Sequence, residues 1–316
     1  MNECLLSQTS IKRLDLTNKQ LTSIPEAVFD QNDLEEVWFD SNHIKEPSPE
    51  VSRLNHLKRL SVYKNQLLTL PESLYYMANL ERLNVSVNFL TFLPEMIGNL
   101  KNLEILDVNH NQITVLPKAI GTLEQLKFLY LAGNGLQTLP QSFENLTHLI
   151  YLNITHNQFS ALPDCVEGMS NLIELRMYNN NITSMPASIG NLSNLNELHA
   201  MNNKIVQLPE TIGKLSKLRK LLLENNQLET LPDSIGELKN LTDLDLRTNR
   251  LNSLPEEIGN MKSLRFLDLR DNKLTSLPAS IRNLKNLQKL DVRLNKGLTV
   301  HEWFQELEQR GCIIFY

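Results

Sequence analysis

Seven histidines are the residues of this sequence that could most readily bind a metal ion. His110 and His156 lie 46 residues apart, which is twice the period of a repeat described below. If successive repeats form neighbouring parallel strands, the two backbones lie roughly 10 Å apart. A zinc ion needs ligand atoms within about 2.0–2.3 Å of itself, and no third ligand is placed beside this pair. We therefore expect isolated surface histidines, no metal site and no cofactor.

The cysteines are too few and too scattered for nucleophilic catalysis or a disulfide framework. Cys4, Cys165 and Cys312 are odd in number and show no zinc spacing. Cys165 follows a Leu-Pro pair on the convex side of the fold predicted below, whereas His156 and His199 belong to its concave side or rim. The sequence has no phosphate-binding glycine loop and no nucleophile elbow. We predict that the chain is not an enzyme, since an enzyme would need a cleft of convergent titratable groups.

Composition and charge exclude other classes of partner. The formal net charge is −5 with both signs mixed, which gives no reason to expect nucleic acid or an anionic membrane as the main partner. The start, MNECLLSQTSIKRLDL, does not resemble a secretory signal, and no apolar run is long enough to span a bilayer. Together with the scattered cysteines, this favours a reducing, cytoplasmic location.

The elements that must position any surface residue come from an internal repeat of 23 residues without insertion or deletion. Its consensus is L-x-x-L-x-L-x-x-N-x-L-x-x-L-P-x-x-I-G-x-L-x-x, and we number its positions 1 to 23. Repeats 1 to 13 begin at Ile11, Leu34, Leu57, Leu80, Leu103, Leu126, Leu149, Leu172, Leu195, Leu218, Leu241, Leu264 and Leu287. Asn occupies position 9 in repeats 2 to 13, and Pro occupies position 15 in eleven repeats.

Each part of the repeat predicts a local structure. In LRFLDLRDN, Leu267 and Leu269 alternate with Phe266, Asp268 and Arg270, which is the period of a half-buried strand. The position 9 amide can bond to backbone groups that the following turn leaves unpaired, so stacked copies form a ladder. Leu-Pro then fixes an extended return. The few residues after it allow only a short helical or 3-10 segment.

The second halves of the repeats carry a family resemblance. LPETIGKL, LPDSIGEL and LPEEIGNM match the LPxxIGxL pattern of leucine-rich repeat proteins with 23-residue units. The chain resembles the Ras-group-related intracellular repeats of plants and animals, and it is similar to many bacterial repeat proteins. The resemblance implies an α/β repeat fold: a curved solenoid, or horseshoe, with a parallel β-sheet on its concave face and short helical or 3-10 segments on its convex face.

The departures from the consensus predict caps at both ends. We expect an N-terminal cap and first repeat over residues 1–33, eleven regular repeats over 34–286, and the last repeat with a C-terminal cap over 287–316. In the tail, Val300, Trp303 and Leu307 recur at helical spacing, Gly311 ends the helix, and residues 312–316 form a terminal strand. An aromatic ligand pocket around Trp303 is the alternative to a cap.

Since the framework hardly varies, partner recognition must reside at the outward strand positions 3, 5 and 7 and the rim position 8. Aromatic and Met side chains, which are enriched at interfaces, collect there in repeats 6 to 9. The predicted partner-binding set is Phe128, Tyr130, Tyr151, Asn153, Arg176, Tyr178, His199 and Met201. The alternative is that strand propensity and cross-strand packing alone favour these residues.

Repeats 11 to 13 present charged columns instead. Their predicted secondary surface comprises Asp243, Asp245, Arg247, Asp268, Arg270, Asp291 and Arg293. A column of Asp beside a column of Arg can be a self-neutralising, solubilising arrangement. The alternative is a charged docking surface that sets orientation and association rate.

These features predict a non-enzymatic protein–protein interaction module, a scaffold in intracellular signalling, that is monomeric in isolation. Its partner would be a protein bound on the concave face, with no nucleic acid and no membrane insertion. Recognition of a glycan or an extended peptide, or the role of a bacterial host-directed factor, is the alternative. Glycan sites also use stacked aromatic rings beside Asn and Asp.

Overall fold

The fold is a single open sheet of parallel strands in chain order, as predicted. The computed structural model describes residues 12–316, so Cys4 and Ile11 lie outside the described residues. Each strand pairs with the next, and the first thirteen are offset by 23 residues, as in Phe128↔Tyr151. Strands β1 to β14 are Arg13–Asp15, Glu36–Trp38, Arg59–Ser61, Arg82–Asn84, Ile105–Asp107, Phe128–Tyr130, Tyr151–Asn153, Glu174–Arg176, Glu197–His199, Lys220–Leu222, Asp243–Asp245, Phe266–Asp268, Lys289–Asp291 and Ile313–Phe315.

Short 3-10 helices line the opposite side, which confirms the predicted convex segments. Twelve of them occur within residues 12–316, and eleven have a proline at the N-cap. The proline ring restricts φ, which favours the extended backbone that leads into each helix. They are Glu26–Val28, Pro49–Arg53, Glu72–Tyr76, Glu95–Asn99, Lys118–Thr122, Gln141–Asn145, Asp164–Gly168, Ala187–Asn191, Glu210–Lys214, Asp233–Glu237, Glu256–Asn260 and Ala279–Asn283. The leucines of both sides meet between the sheet and these helices in one continuous core.

The position 9 asparagines form the predicted ladder. Asn157 is buried, and its Nδ2 donates to the carbonyls of Leu131, Ile154 and Thr155 at 2.9, 3.1 and 3.0 Å. Its Oδ1 accepts the N–H of Leu136 in the previous repeat at 3.0 Å. The chain turns inward here because the residue before each Asn is left-handed, as at Asp271 with φ 53°. The outward strand positions are therefore held on a rigid frame.

The tail covers the last repeat, although the boundaries of the caps stay a prediction. Helix α1, Phe304–Gln309, ends before Gly311, whose φ of 88° suits glycine. Strand β14 then extends the sheet, and Leu307 is buried. Val300 is 56% exposed and lies before the helix, so its predicted place in the helical core pattern is wrong. Trp303 packs edge-on against Phe304, which agrees with a covering role rather than a pocket.

Candidate functional site

Three aromatic rings meet on the concave face of repeats 6 and 7, as expected from their positions. Phe128 and Tyr151 face each other across the paired strands β6 and β7, with ring centroids 6.5 Å apart. Tyr130, two residues after Phe128 on the same strand, brings its centroid to 4.9 Å from that of Tyr151. We call these three residues the aromatic patch. The rings reinforce one another at distances typical of favourable aromatic pairs.

The aromatic patch is only partly covered by the protein itself. All three side chains are half-buried, and burial raises the pKa of Tyr151 to about 12 and shifts the pKa of Tyr130 upward as well. Both phenols are therefore neutral donors at physiological pH. Within residues 12–316, neither phenol oxygen takes part in a hydrogen bond. An apolar surface with free polar tips is what a binding site requires.

An ion-pair network borders the patch on the side of repeats 8 to 10. Arg176 lies over the ring of Tyr151, 5.6 Å from its centroid, and its Nε donates to Glu174. His199 Nε2 lies 3.0 Å from Glu197 Oε2 and 3.7 Å from Glu174 Oε1. The expectation that the histidines are isolated is thus wrong for His199, since side chains at the same face of neighbouring strands converge.

His199 and the two glutamates form a group that could hold a metal ion. One ligand atom from each of Glu174, Glu197 and His199 lies within 4.8 Å of the others. Both carboxylates already bind cations of the protein, because Arg176 bonds to the first and Lys220 lies 2.9 Å from the second. Two acidic and two basic side chains balance here, so the arrangement works as an internal ion-pair network.

The other members of the predicted partner-binding set do not extend the aromatic patch continuously. Tyr178 packs against His156, with centroids 5.7 Å apart and the rings nearly perpendicular, and Met201 is half-buried beyond the ion-pair network. Asn153 is buried, and its Oδ1 accepts the backbone N–H of Thr155 at 3.1 Å. This local bond argues against the predicted binding role of Asn153, because the amide serves the turn after β7.

Most charged residues of repeats 11 to 13 are paired within the protein. We call Asp243, Asp245, Arg247, Asp268, Arg270, Asp291 and Arg293 the charged ladder. Arg270 bonds to Asp268 and also lies 3.4 Å from Asp291, which accepts from Arg293 at 2.7 Å. Arg247 donates a hydrogen bond to Glu224 of repeat 10, and its Nε lies 3.3 Å from Asp245. The geometry agrees with the self-neutralising arrangement that the sequence left open.

Two aspartates of the charged ladder have opposite pKa shifts although both occupy position 5. Burial raises the pKa of Asp245 to about 6, and the nearby charge of Asp268 adds to the shift. Burial also acts on Asp291, but the hydrogen bond from Arg293 and the charge of Arg270 outweigh it and hold its pKa below the usual range. The side chain of Asp291 is fully buried, so its predicted place on an accessible surface is wrong.

Sequence reasoning missed a pocket at the edge of the sheet where the strands begin. The cavity has a volume of about 450 Å³. Its lining residues are Lys127, His148, Ile150, Asn171, Ile173, Asn194, Asn196 and Lys217. A signal was present, because position 2 is polar or charged in the other eleven repeats and apolar only at Ile150 and Ile173.

No helix within residues 12–316 is long and apolar enough to cross a membrane.

Solved structures similar to this chain come from several sources. A leucine-rich repeat protein of Leptospira interrogans is 30% identical over 97% of this chain and 96% of its own, with a TM-score of 0.65. A TDR receptor is 25% identical over 89% of this chain and 53% of its own, with a TM-score of 0.71. An internalin of Listeria monocytogenes is 21% identical over 91% and 88% of the two chains, with a TM-score of 0.68. A search of curated proteins finds no significant match.

Family models match the repeats directly. The model described as "Leucine-rich repeat region" matches residues 88–178, 118–204 and 175–249. The model described as "Leucine Rich Repeat" matches residues 240–261 and 263–284. With the strand order, the asparagine ladder and the similarity to the Leptospira protein over nearly the full length of both chains, these matches agree on one conclusion. The chain belongs to the leucine-rich repeat proteins.

Proposed function

We propose that this chain is a non-enzymatic module that binds a protein partner through the aromatic patch on its concave face. The leucine-rich repeat fold suggests an interaction module rather than a catalyst. The observation that carries the proposal is the contact among Phe128, Tyr130 and Tyr151, whose rings pack together while remaining half exposed. A folded protein gains by covering such a surface.

The chemistry of the surroundings favours a protein over a glycan. Arg176 lies over Tyr151 and is held there by Glu174, so a ring face that a sugar could stack on is already covered by a guanidinium. Tyr and Arg side chains supply much of the binding energy at protein interfaces. Arg176 also keeps donors free for acceptors on a partner, since a guanidinium carries five N–H groups.

The cellular compartment and the role in signalling are the second part of the proposal. Cys165 and Cys312 are buried free thiols, and burial raises the pKa of each to about 11, so both stay protonated and unreactive. Unpaired structural cysteines are typical of a reducing compartment. Together with the resemblance to the Ras-group-related class, this supports a cytoplasmic, monomeric scaffold in signalling.

Affinity capture with matched variants tests the proposal. The bait is the full chain, and the lysate comes from the organism that encodes it. The test variant is Tyr130→Ala with Tyr151→Ala. The control is Tyr76→Ala with Phe92→Ala, which removes two aromatic side chains, 64% and 53% exposed, outside the concave strand positions.

We expect a protein to be captured by the wild type and the control but not by the test variant, while thermal melting of both variants stays near that of the wild type. Capture that survives in the test variant would place the interface elsewhere and refute the proposal. Binding on a glycan array without any captured protein would refute it as well, in favour of the glycan alternative.

A further inference from the structure

The pocket at the start of the strands is built from two columns of four residues in repeats 6 to 9. Position 2 supplies Lys127, Ile150, Ile173 and Asn196, and position 23 supplies His148, Asn171, Asn194 and Lys217. Neighbouring strands lie roughly 4.8 Å apart, so the columns span roughly 14 Å. The two apolar residues lie in the middle with polar residues at both ends. An apolar floor with polar ends is the usual construction of a site for a side chain.

The amides that line the pocket are held in place. Asn171 Nδ2 donates to the carbonyl of Thr147 at 2.8 Å, and Asn194 Nδ2 donates to that of Ser170 at 2.9 Å. By contrast, Ile173 is 43% exposed. Since position 2 is apolar in no other repeat, packing of the framework does not require an apolar residue there. Because the lining side chains are already held in place, little conformational entropy is lost when a ligand fills the pocket.

The pocket adjoins the aromatic patch through the backbone itself. Ile150 immediately precedes Tyr151, and Ile173 immediately precedes Glu174, which holds Arg176 over the ring of Tyr151. A partner peptide that lies across the ring of Tyr151 is therefore only one residue of this chain away from the pocket. Ile150 lies in repeat 7 together with Tyr151, and Ile173 lies in the next repeat, so the apolar pair and the aromatic patch are neighbours.

The charges of the pocket select the chemistry of an occupant. No acidic side chain lines it. Lys127 is paired with Glu104 at 2.7 Å, but Lys217 bonds only to the amide oxygen of Asn194 at 2.6 Å and has no carboxylate partner within residues 12–316. A carboxylate brought to Lys217 would gain a charge-assisted hydrogen bond.

We propose that this pocket receives a large apolar side chain of an extended peptide segment of the partner, and that Lys217 binds a carboxylate about two residues away in that segment. Alternate side chains of an extended chain lie roughly 6.6 Å apart on one face, and neighbouring repeats lie roughly 4.8 Å apart, so two residues of the segment span between one and two repeats. The inference rests on the proposed function, because it names the segment that continues from the aromatic patch.

A displayed library of random 12-residue peptides, selected on the full chain, supplies the probe. We expect enriched peptides to share a large apolar residue with Asp or Glu about two positions away. The affinity of one enriched peptide is then measured by fluorescence anisotropy. Ile150→Ser with Ile173→Ser should weaken it about ten-fold or more. The control Val206→Ser, at a residue that is 42% exposed on another surface, should change it less than about two-fold.

The carboxylate is tested by pairing variants of both partners. Lys217→Ala should weaken the acidic peptide about ten-fold and leave a peptide with Gln in place of Glu unchanged. Library selection that enriches no such pattern would overturn the inference. So would binding that survives the isoleucine variant while Tyr130→Ala with Tyr151→Ala abolishes it, an outcome that leaves the proposed function standing. The reverse pattern would instead refute the proposed function and keep the pocket.

Discussion

The aromatic patch and the charged ladder occupy outward strand positions in different repeats, and they differ in how their side chains are paired. In the ladder, Arg270 and Arg293 bond to the carboxylates beside them, so the surface is complete without a partner. In the patch, the rings of Tyr130 and Tyr151 pack together but leave half-exposed faces and free phenol groups. One framework thus carries one surface that is satisfied internally and another that a partner can complete.

This difference teaches where to look for function in a solenoid whose framework is constant. Charge alone is a poor guide, since a column of Asp beside a column of Arg neutralises itself at little cost. Apolar surface that the protein itself leaves uncovered is a better guide to function. The exposed Ile173 and the rings beside it meet that criterion, whereas the buried carboxylate of Asp291 does not.

The largest expected effect tests whether both regions share the same framework. Asn157→Ala in the patch region and Asn272→Ala in the ladder region each remove three donated hydrogen bonds and one accepted bond. Each variant should lower the free energy of unfolding by about 3 kcal/mol, because buried backbone groups lose their partners. Urea denaturation of the two variants measures this. A difference above about 1.5 kcal/mol would show that the frameworks are not equivalent.

A smaller loss is expected when a central carboxylate of the ladder is neutralised. Asp291→Asn should lower the free energy of unfolding at pH 7 by roughly 2 kcal/mol, because Arg270 and Arg293 lose their shared charge partner. The pKa of Asp291 is depressed in the folded state, so its contribution is present above the unfolded pKa near 3.8 and is lost as the pH falls through the folded value.

Urea denaturation of Asp291→Asn and wild type at pH 7 and pH 3 checks this sign. The difference between the two proteins should shrink at the lower pH. A difference that stays constant between the two pH values would show that packing, rather than charge, accounts for the effect, and the ladder would then be part of the framework.

Much of the fold was predictable because its signal is repeated. Thirteen alternations like that of Leu267 and Leu269 define the strands, and a constant period puts equal positions side by side. The contact between Phe128 and Tyr151 follows from register alone. The convex helices followed from the short segment after each Leu-Pro.

The parts that sequence reasoning missed depend on which way side chains turn. His199 reaches sideways to Glu174 in the neighbouring strand, and the buried Asp291 contacts both Arg270 and Arg293, so neither outcome follows from position number. The pocket was missed because position 2 lies just before the strand, and partner recognition was expected only at positions 3, 5, 7 and 8. Comparing each position across all repeats would have marked Ile150 and Ile173 as exceptions.

The opposite pKa shifts within the charged ladder predict that one substitution raises the free energy of unfolding instead of lowering it. Asp245 has a pKa of about 6 in the folded state against 3.8 as the ordinary value, because burial disfavours its charge. A raised carboxyl pKa means that the unfolded state binds fewer protons between about pH 4 and pH 6, so stability falls as the pH rises through this window. The full shift corresponds to about 3 kcal/mol, and solvent screening at a side chain that is 21% exposed reduces this. Asp245→Asn should therefore raise the free energy of unfolding at pH 7 by about 1.5 kcal/mol.

Denaturation of Asp245→Asn at pH 4, 5, 6 and 7 checks the prediction. The gain should be absent near pH 4 and complete near pH 7. Asn keeps an oxygen that can accept the N–H of Arg247, so the turn after β11 is preserved. A loss of stability at pH 7 would mean that the ion pair with Arg247 outweighs burial, which would remove the contrast with Asp291.

The smallest expected effect decides whether the patch is surface or framework. Tyr130→Ala removes the ring pair with Tyr151 and the partial burial of the Tyr130 side chain. The free energy of unfolding should therefore fall by about 1 kcal/mol. Phe266→Ala in repeat 12, at a ring that is 37% exposed and lies under Arg265, is the matched change in the ladder region and should cost a similar amount. Urea denaturation of both variants makes the comparison.

A cost above about 3 kcal/mol for Tyr130→Ala would match the loss of a core side chain. In that case the ring stabilises the sheet, and the alternative of cross-strand packing without a partner would account for the patch.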